Sequence, residues 1–334
     1  MKTQTTVLEA YRGCMLGAAI GDAIGLPVEF MRLDAIRRKY GPHGIDDYDR
    51  CYGGVGRFSD DTQMSLFTAE GLLWADRTES DLVTTGAQSL INWLETQGVR
   101  NPRIAPERIG LVVLADLHQR RAPGNTCLSS LVAMSTLGQP AVNDSKGCGA
   151  VMRMHPVALY CWNKGFPTYG TMALANKLGA LTHAHESGYL SGGAFAVMIQ
   201  ALINGYSLED AAHQALMELE SQQGHQETTD AIKKALELAA TDTNSDAAIR
   251  TLGEGWVGEE ALAIALYCAL KASNFREGVL LAANHDGDSD STASIAGALL
   301  GTLYGDKGIP AGWVMGLEMK DTILNMADQL FDID

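Results

Sequence analysis

Positive charge is in short supply in this sequence. Twenty-five lysines and arginines face forty aspartates and glutamates, a net charge of −15. A field of that sign repels a nucleic-acid backbone and an anionic membrane surface, so neither is expected as a partner. Long apolar runs are missing as well: no stretch of about 18 apolar residues occurs, which argues against a membrane span. The amino-terminal stretch MKTQTTVLEAYRG has no apolar core of signal-peptide length, and Arg12 interrupts the apolar pattern that begins there. Paired cysteines are absent. Cys14, Cys51, Cys127, Cys148, Cys161 and Cys268 are scattered without a CxxC pair, which reads as reduced thiols in a cytoplasmic protein, not a disulfide frame or a zinc-thiolate site. No GxGxxG, Walker-A or GxSxG motif appears, which disfavours dinucleotide oxidoreductases, NTPases and serine hydrolases.

Two-residue alternation is nearly missing too, short ambiguous pieces such as IGLVVLA (109–115) aside. Helical periodicity takes its place. Apolar residues recur at three- and four-residue spacing in 62–75, 81–96, 191–205, 229–240 and 259–273. The expected class is all-α, in a single domain spanning 1–334. Glycine is abundant, 36 residues, and each one inside a helix costs roughly 1 kcal/mol against alanine. Gly13, Gly17, Gly21 and Gly25 are spaced by four, as are Gly297, Gly301 and Gly305. That spacing puts each set on one helix face and lets a second helix approach closely. Residues 32–59, 100–108 and 137–150 read as long polar connections, of the kind that often carry function. The charged segment 217–250 reads as solvated helix and loop.

Two acidic turns stand out. NHDGDSDSTASIAG (284–297) places Asp286, Asp288 and Asp290 just ahead of a helical pattern, and GRFSDDTQMS (56–65) does the same with Asp60 and Asp61. A helix needs one N-cap, worth about 1 kcal/mol; Asp60 with Gln63 could form a capping box. Both turns hold more acids than capping requires. Were they to meet, two carboxylates about 4 Å apart would repel by roughly 4 kcal/mol even at an effective dielectric of 20. A hard divalent cation, or partial protonation, would offset that repulsion. An EF-hand does not fit, because Ser291 and Gly297 stand where that loop needs Gly and Glu. HESGY fails as a zinc-protease motif, with Tyr189 where the second histidine belongs.

The blocks GCMLGAAIGDAIGLPVEF (13–30), GRFSDDTQMS, SKGCGAVMRMHPVAL (145–159), LTHAH (181–185) and GDSDSTASIAGALLGTLYG (287–305) resemble the ADP-ribosylglycohydrolases. The dinitrogenase reductase-activating branch is the nearest in flavour. The resemblance runs in family order over about residues 10–305. It implies a compact all-helical fold with a binuclear Mg2+ or Mn2+ centre at the base of a cleft. By motif, Ser59, Asp60, Asp61 and Asp290 would hold one ion, and Asp288, Asp290 and Ser291 the other, with Asp290 bridging. Glu29 matches an acidic residue beside the second ion. Ser145, Lys146, Gly147, Cys148 and Gly149 match a diphosphate-binding loop, a role that backbone N–H groups ahead of a helix suit. His183 matches a histidine near the phosphates, and Trp256 is a candidate wall for the distal ribose. His155 and His185 read as structural histidines.

The implied reaction is metal-dependent hydrolysis of the bond between ADP-ribose and a protein side chain, an arginine first of all. The expected partners are an ADP-ribosylated protein and the ADP-ribose product. Glu29 is a candidate for proton transfer and Asp61 the alternative. Two further readings stay open: an O-linked substrate such as serine-linked or O-acetyl-ADP-ribose, and a relative that binds ADP-ribose without turnover.

Overall fold

The structure, a computed structural model, describes residues 5–333. The first four residues of the amino-terminal stretch, and Asp334, lie outside them. Helices dominate: α1 (Val7–Gly25), α2 (Leu33–Tyr40), α3 (Asp60–Thr78), α4 (Leu82–Thr96), α5 (Asn125–Ala133), α6 (His155–Asn163), α7 (Thr168–Ala180) and α8 (Glu186–Ile203). They continue with α9 (Leu208–Leu219), α10 (Gln226–Ala239), α11 (Ser245–Leu252), α12 (Gly258–Lys271), α13 (Phe275–Ala283), α14 (Ser289–Tyr304), α15 (Ala311–Gly316) and α16 (Lys320–Phe331). Among the described residues, no single helix is long and apolar enough to cross a membrane.

The glycine stripes explain the central pair. A Cβ built on Gly13 would lie 2.1 Å from Gly301 O, on Gly17 2.2 Å from Gly297 O, and on Gly21 1.9 Å from Ala293 O. Any side chain there would collide with backbone. Matching 13 with 301, 17 with 297 and 21 with 293 makes α1 and α14 antiparallel. The carboxyl end of α1 therefore meets the amino end of α14, and this juxtaposition builds the site. Thr6 starts α1 with a reciprocal cap: its hydroxyl accepts the Glu9 N–H while its own N–H donates to Glu9 Oε2.

Two expectations differ from the structure, and one ambiguous stretch takes a definite form. Residues 32–59 are not a plain connection. They hold α2, whose Leu33 and Ile36 are buried, and a short antiparallel hairpin, β1 (Arg50–Cys51) and β2 (Gly54–Val55). The hairpin turns on Tyr52 and Gly53, with φ of 45° and 81°, and its two-residue strands are too short to show alternation. IGLVVLA holds a 3-10 turn over Gly110–Val113 and ends at the first residue of another, Ala115–Leu117. The cap of α3 is Ser59, whose hydroxyl accepts the Asp61 N–H at 3.1 Å. Gln63 makes no capping box; its amide bonds Gln119 O and the side chains of Trp93 and Gln97. The 217–250 segment is helical for much of its length in α10 and α11.

Candidate active site

Three segments carry acids to one place. Glu29 follows the 3-10 turn Leu26–Val28 that extends α1, Asp60 and Asp61 open α3, and Asp288 and Asp290 open α14. All five are buried, and all five line a cleft of about 220 Å³ with Cys148, His183, Trp256 and Ser291. Among the described residues no lysine or arginine lines it. A larger groove of about 730 Å³, lined by Trp74, Leu111 and Met326 among others, shows no such convergence of buried carboxyls. The chemistry, not the volume, marks the site.

Each acidic turn is held by a partner distant in sequence. Asp22 follows Gly21 on α1 and is fully buried. Its Oδ1 accepts the Ser59 N–H at 2.8 Å, and its Oδ2 accepts both the Thr62 N–H at 3.0 Å and the Thr62 hydroxyl at 2.5 Å. Arg121, also fully buried, donates to Phe58 O at 2.8 Å and pairs with Glu318, while its carbonyl accepts the Asp60 N–H at 3.2 Å. The Gly124 N–H donates to Asp60 Oδ2 at 3.2 Å. On the other side, Glu254 O accepts the Asp288 N–H at 2.8 Å, and Asp288 Oδ1 caps α14 by accepting the Ser291 N–H. Asp286 turns away from the cluster. It accepts the Leu33 N–H at 2.8 Å and lies 3.5 Å from Arg250 Nε.

The electrostatics are unbalanced. One oxygen each of Glu29, Asp288 and Asp290 lies within 4.8 Å of the other two. Burial, then the charge of neighbouring aspartates, pushes Asp60, Asp61 and Asp290 well above the usual carboxylate range. The same causes push Glu29 up to about 11 and Asp22 to about 7, and burial raises Asp288. Glu29 Oε2 and Asp61 Oδ2 are buried with no hydrogen-bond partner. Buried charge without a partner is costly. A convergence of carboxyl and hydroxyl oxygens, with two carboxyl oxygens unpartnered, matches what hard divalent cations require.

The five residues of the expected diphosphate loop fall in different surroundings. Gly147, Cys148 and Gly149 line the cleft, but the Cys148 N–H is spent on Trp256 O at 3.2 Å, and the Gly147 N–H leans on Ser145 Oγ at 3.4 Å. Lys146 does not face the cleft; its ammonium pairs with Glu227 at 2.9 Å and Glu259 at 2.7 Å. Ser145 shares a hydrogen bond with Thr126 at 3.0 Å. Cys148 Sγ donates to Asp288 Oδ2 at 2.8 Å, and burial with the Asp288 and Asp61 charges holds the thiol protonated. That makes it a poor nucleophile. Trp256 is 39% exposed and stacks on Phe30, ring centres 5.9 Å apart and 13° from parallel. His155 is buried within the core and stays neutral, its pKa depressed to about 3 by burial.

Asp22, which holds the first acidic turn, is not among the residues expected from the sequence, although the signal is present. A lone acid in an apolar, glycine-rich helix needs partners, and a buried one needs several. The Cys148 contact with Asp288 joins residues 140 apart, and no local pattern reports that.

The sequence pattern of the ADP-ribosylglycohydrolases matches residues 3–334. The chain is 26% identical to the ADP-ribosylarginine hydrolase Tri1 of Serratia proteamaculans, over 97% of this chain and 79% of that protein. It is also 26% identical to the ADP-ribosyl-[dinitrogen reductase] glycohydrolase of Rhodospirillum rubrum, over 95% and 93%. Among solved structures, a chain of an ADP-ribosylglycohydrolase-related protein complex superposes with a TM-score of 0.71 at 22% identity, covering 98% of both chains. That last likeness speaks to the fold.

Proposed function

The chain belongs to the ADP-ribosylglycohydrolase family, and from that premise we propose that it hydrolyses the N-glycosidic bond between ADP-ribose and a protein arginine. One observation carries the reading: five buried carboxyls from three segments converge on one cleft, with Glu29 Oε2 and Asp61 Oδ2 unpartnered. The arginine linkage is supported by the Serratia relative, named for that substrate.

Ser59, Asp60, Asp61 and Asp290 would hold one divalent cation, and Asp288, Asp290 and Ser291 a second, with Glu29 beside them. Bound there, Mg2+ or Mn2+ would supply positive charge that offsets the buried carboxylates and polarises oxygens set against it. The remaining work falls to the protein. The carbon–nitrogen bond breaks and its electron pair leaves with the guanidine nitrogen, which takes up a proton from a carboxyl of the cleft. A water oxygen forms the new bond to the same carbon and gives its proton to a carboxylate. Glu29, held protonated by burial and its acidic neighbours, would give its proton to the departing nitrogen and take the water's proton in return, with Asp61 as the alternative. The charges of Asp288 and Asp290 oppose the positive charge developing on the ribose ring in the transition state. Trp256 and the Gly147–Gly149 segment would flank the rest of the ligand.

The test is ADP-ribose release from an arginine-ADP-ribosylated protein, with chelator and then with Mg2+ or Mn2+ restored, beside a serine-linked conjugate. Metal-dependent release from the arginine conjugate is the expected result. Release from the serine conjugate alone would move the assignment to an O-linkage. Binding without release from either would make this chain a reader.

A further inference from the structure

Arg153 is fully buried, and among the described residues no carboxylate pairs with it. A buried guanidinium needs every donor engaged. Its Nε donates to Gly149 O at 3.0 Å, its two terminal nitrogens reach Leu178 O at 3.4 and 3.3 Å, and one of them donates to Thr182 Oγ1 at 2.7 Å. It sits directly behind the glycine loop of the cleft, and nothing in the proposed chemistry uses it.

Counting protons supplies the next link. Arginine only donates, so the Thr182 oxygen accepts at that contact and its single proton must point elsewhere. Two acceptors lie within reach: His183 Nδ1 at 2.9 Å and Gly179 O at 3.4 Å. The shorter contact is the well-formed one. The reverse arrangement, with a proton on Nδ1, would aim a second positive dipole at an oxygen already facing a cation. The Thr182 backbone is held as well, because Ser130 Oγ and Asn143 Nδ2 both donate to its carbonyl, at 2.8 and 2.9 Å.

We infer that Arg153 and Thr182 are positioning residues that fix His183 as the neutral tautomer protonated on Nε2, so that the ring presents a hydrogen-bond donor to an anionic oxygen in the cleft. Burial and the Arg153 charge hold the His183 pKa near 3, so the ring is neutral over the physiological range. His183 lines the cleft, and its edge lies where side chains on Gly147 or Gly149 would stand: a Cβ on Gly147 would be 3.2 Å from Nε2, and one on Gly149 2.9 Å from Cε1. Among the described residues no protein acceptor meets Nε2. The need for such a donor is plain, since the Cys148 amide is already bonded and Lys146 is turned outward. The identity of the anion, a phosphate oxygen of ADP-ribose, rests on the proposed function; the tautomer does not.

The experiment is long-range 1H–15N NMR of the histidine rings in the full chain, free and with ADP-ribose, for wild type, Thr182→Val and Thr182→Ser. His183 of the free wild type should carry its proton on Nε2, and ADP-ribose should shift the Nε2 signal. Thr182→Val should redistribute the proton between the two nitrogens and weaken ADP-ribose binding about tenfold, the loss of one hydrogen bond to a charged group. Thr182→Ser keeps the hydroxyl and should restore both. A proton on Nδ1 in the wild type, or a tautomer unmoved in Thr182→Val, overturns the inference. The wild-type spectrum decides even if Thr182→Val does not fold. The inferred tautomer with no ADP-ribose binding would sink the functional proposal and leave the relay standing.

Discussion

Asp22 Oδ1 accepts the Ser59 N–H at 2.8 Å, tying the last turn of α1 to the first acidic turn of the cleft. The same carboxylate accepts two bonds from Thr62, so one side chain fixes the backbone that aims Asp60 and Asp61. Asp22→Asn keeps the shape but sets an NH2 group against at least one of these donors. We expect at least a tenfold loss of metal affinity and turnover, in the range usual for groups that orient ligands, with the helical circular dichroism unchanged. Calorimetric Mn2+ titration beside a turnover assay checks it; wild-type values in both would reduce Asp22 to a packing residue.

Asp60→Ala and Asp290→Ala should abolish turnover. In the metal-free protein each should also leave stability unchanged or higher, because a buried carboxyl crowded by like charges is removed. Thermal melts in chelator and in Mn2+ separate the two effects. The cation should raise the Tm of the wild type and do much less for either variant. An equal Tm gain in all three proteins would place the ion elsewhere.

The close approach of α1 and α14 sets up a packing prediction. A Cβ on Gly301 would fall 1.9 Å from Gly13 O, so Gly301→Ala must push the helices apart. Overpacking of that kind costs about 1–3 kcal/mol. The same shift would separate Asp22 from Asp290, so activity should fall with stability. Urea midpoints and turnover, measured together, test it. Gly312→Ala, with nothing within 4 Å of the added atom, is the matched control.

Much of this architecture is legible in the sequence, for identifiable reasons. Four-residue glycine spacing is a local signal, and it marks the close-packing face of α1 and of α14, though not that each is the other's partner. The helix starts of α3 and α14 are legible because caps and acids lie beside apolar periodicity. That the two acidic turns meet can be argued only from the excess of charge, since the meeting is made by the antiparallel register of α1 and α14. Asp22, Arg121 and Arg153 escape because the partners that define them, Thr62, Glu318 and Thr182, lie 40, 197 and 29 residues away. The direction of the Lys146 side chain is hidden for a related reason: a loop's sequence gives its composition, whereas Glu227 and Glu259, which turn its ammonium outward, come from α10 and α12. The Tyr52–Gly53 hairpin is invisible because two-residue strands carry no period.

Glu70 offers a pH test away from the metal cluster. It sits on α3 with Oε1 accepting the Leu111 N–H at 2.6 Å and Oε2 near Ser89 Oγ, and burial raises its pKa from 4.5 to about 7. A carboxyl whose pKa is higher folded than unfolded binds its proton more tightly in the fold. Its contribution is full below about pH 4.5 and is lost as pH rises to about 7, beyond which it stays flat. Glu70→Gln removes the charge, keeps an oxygen for the Leu111 N–H, and leaves an NH2 that Ser89 can accept. We expect it to stabilise the protein at pH 8 by on the order of 2 kcal/mol, with almost no effect at pH 4.5. Urea unfolding of both proteins across pH 4.5–8 gives the difference directly. A constant difference over that range would mean that Glu70 does not titrate as its burial requires.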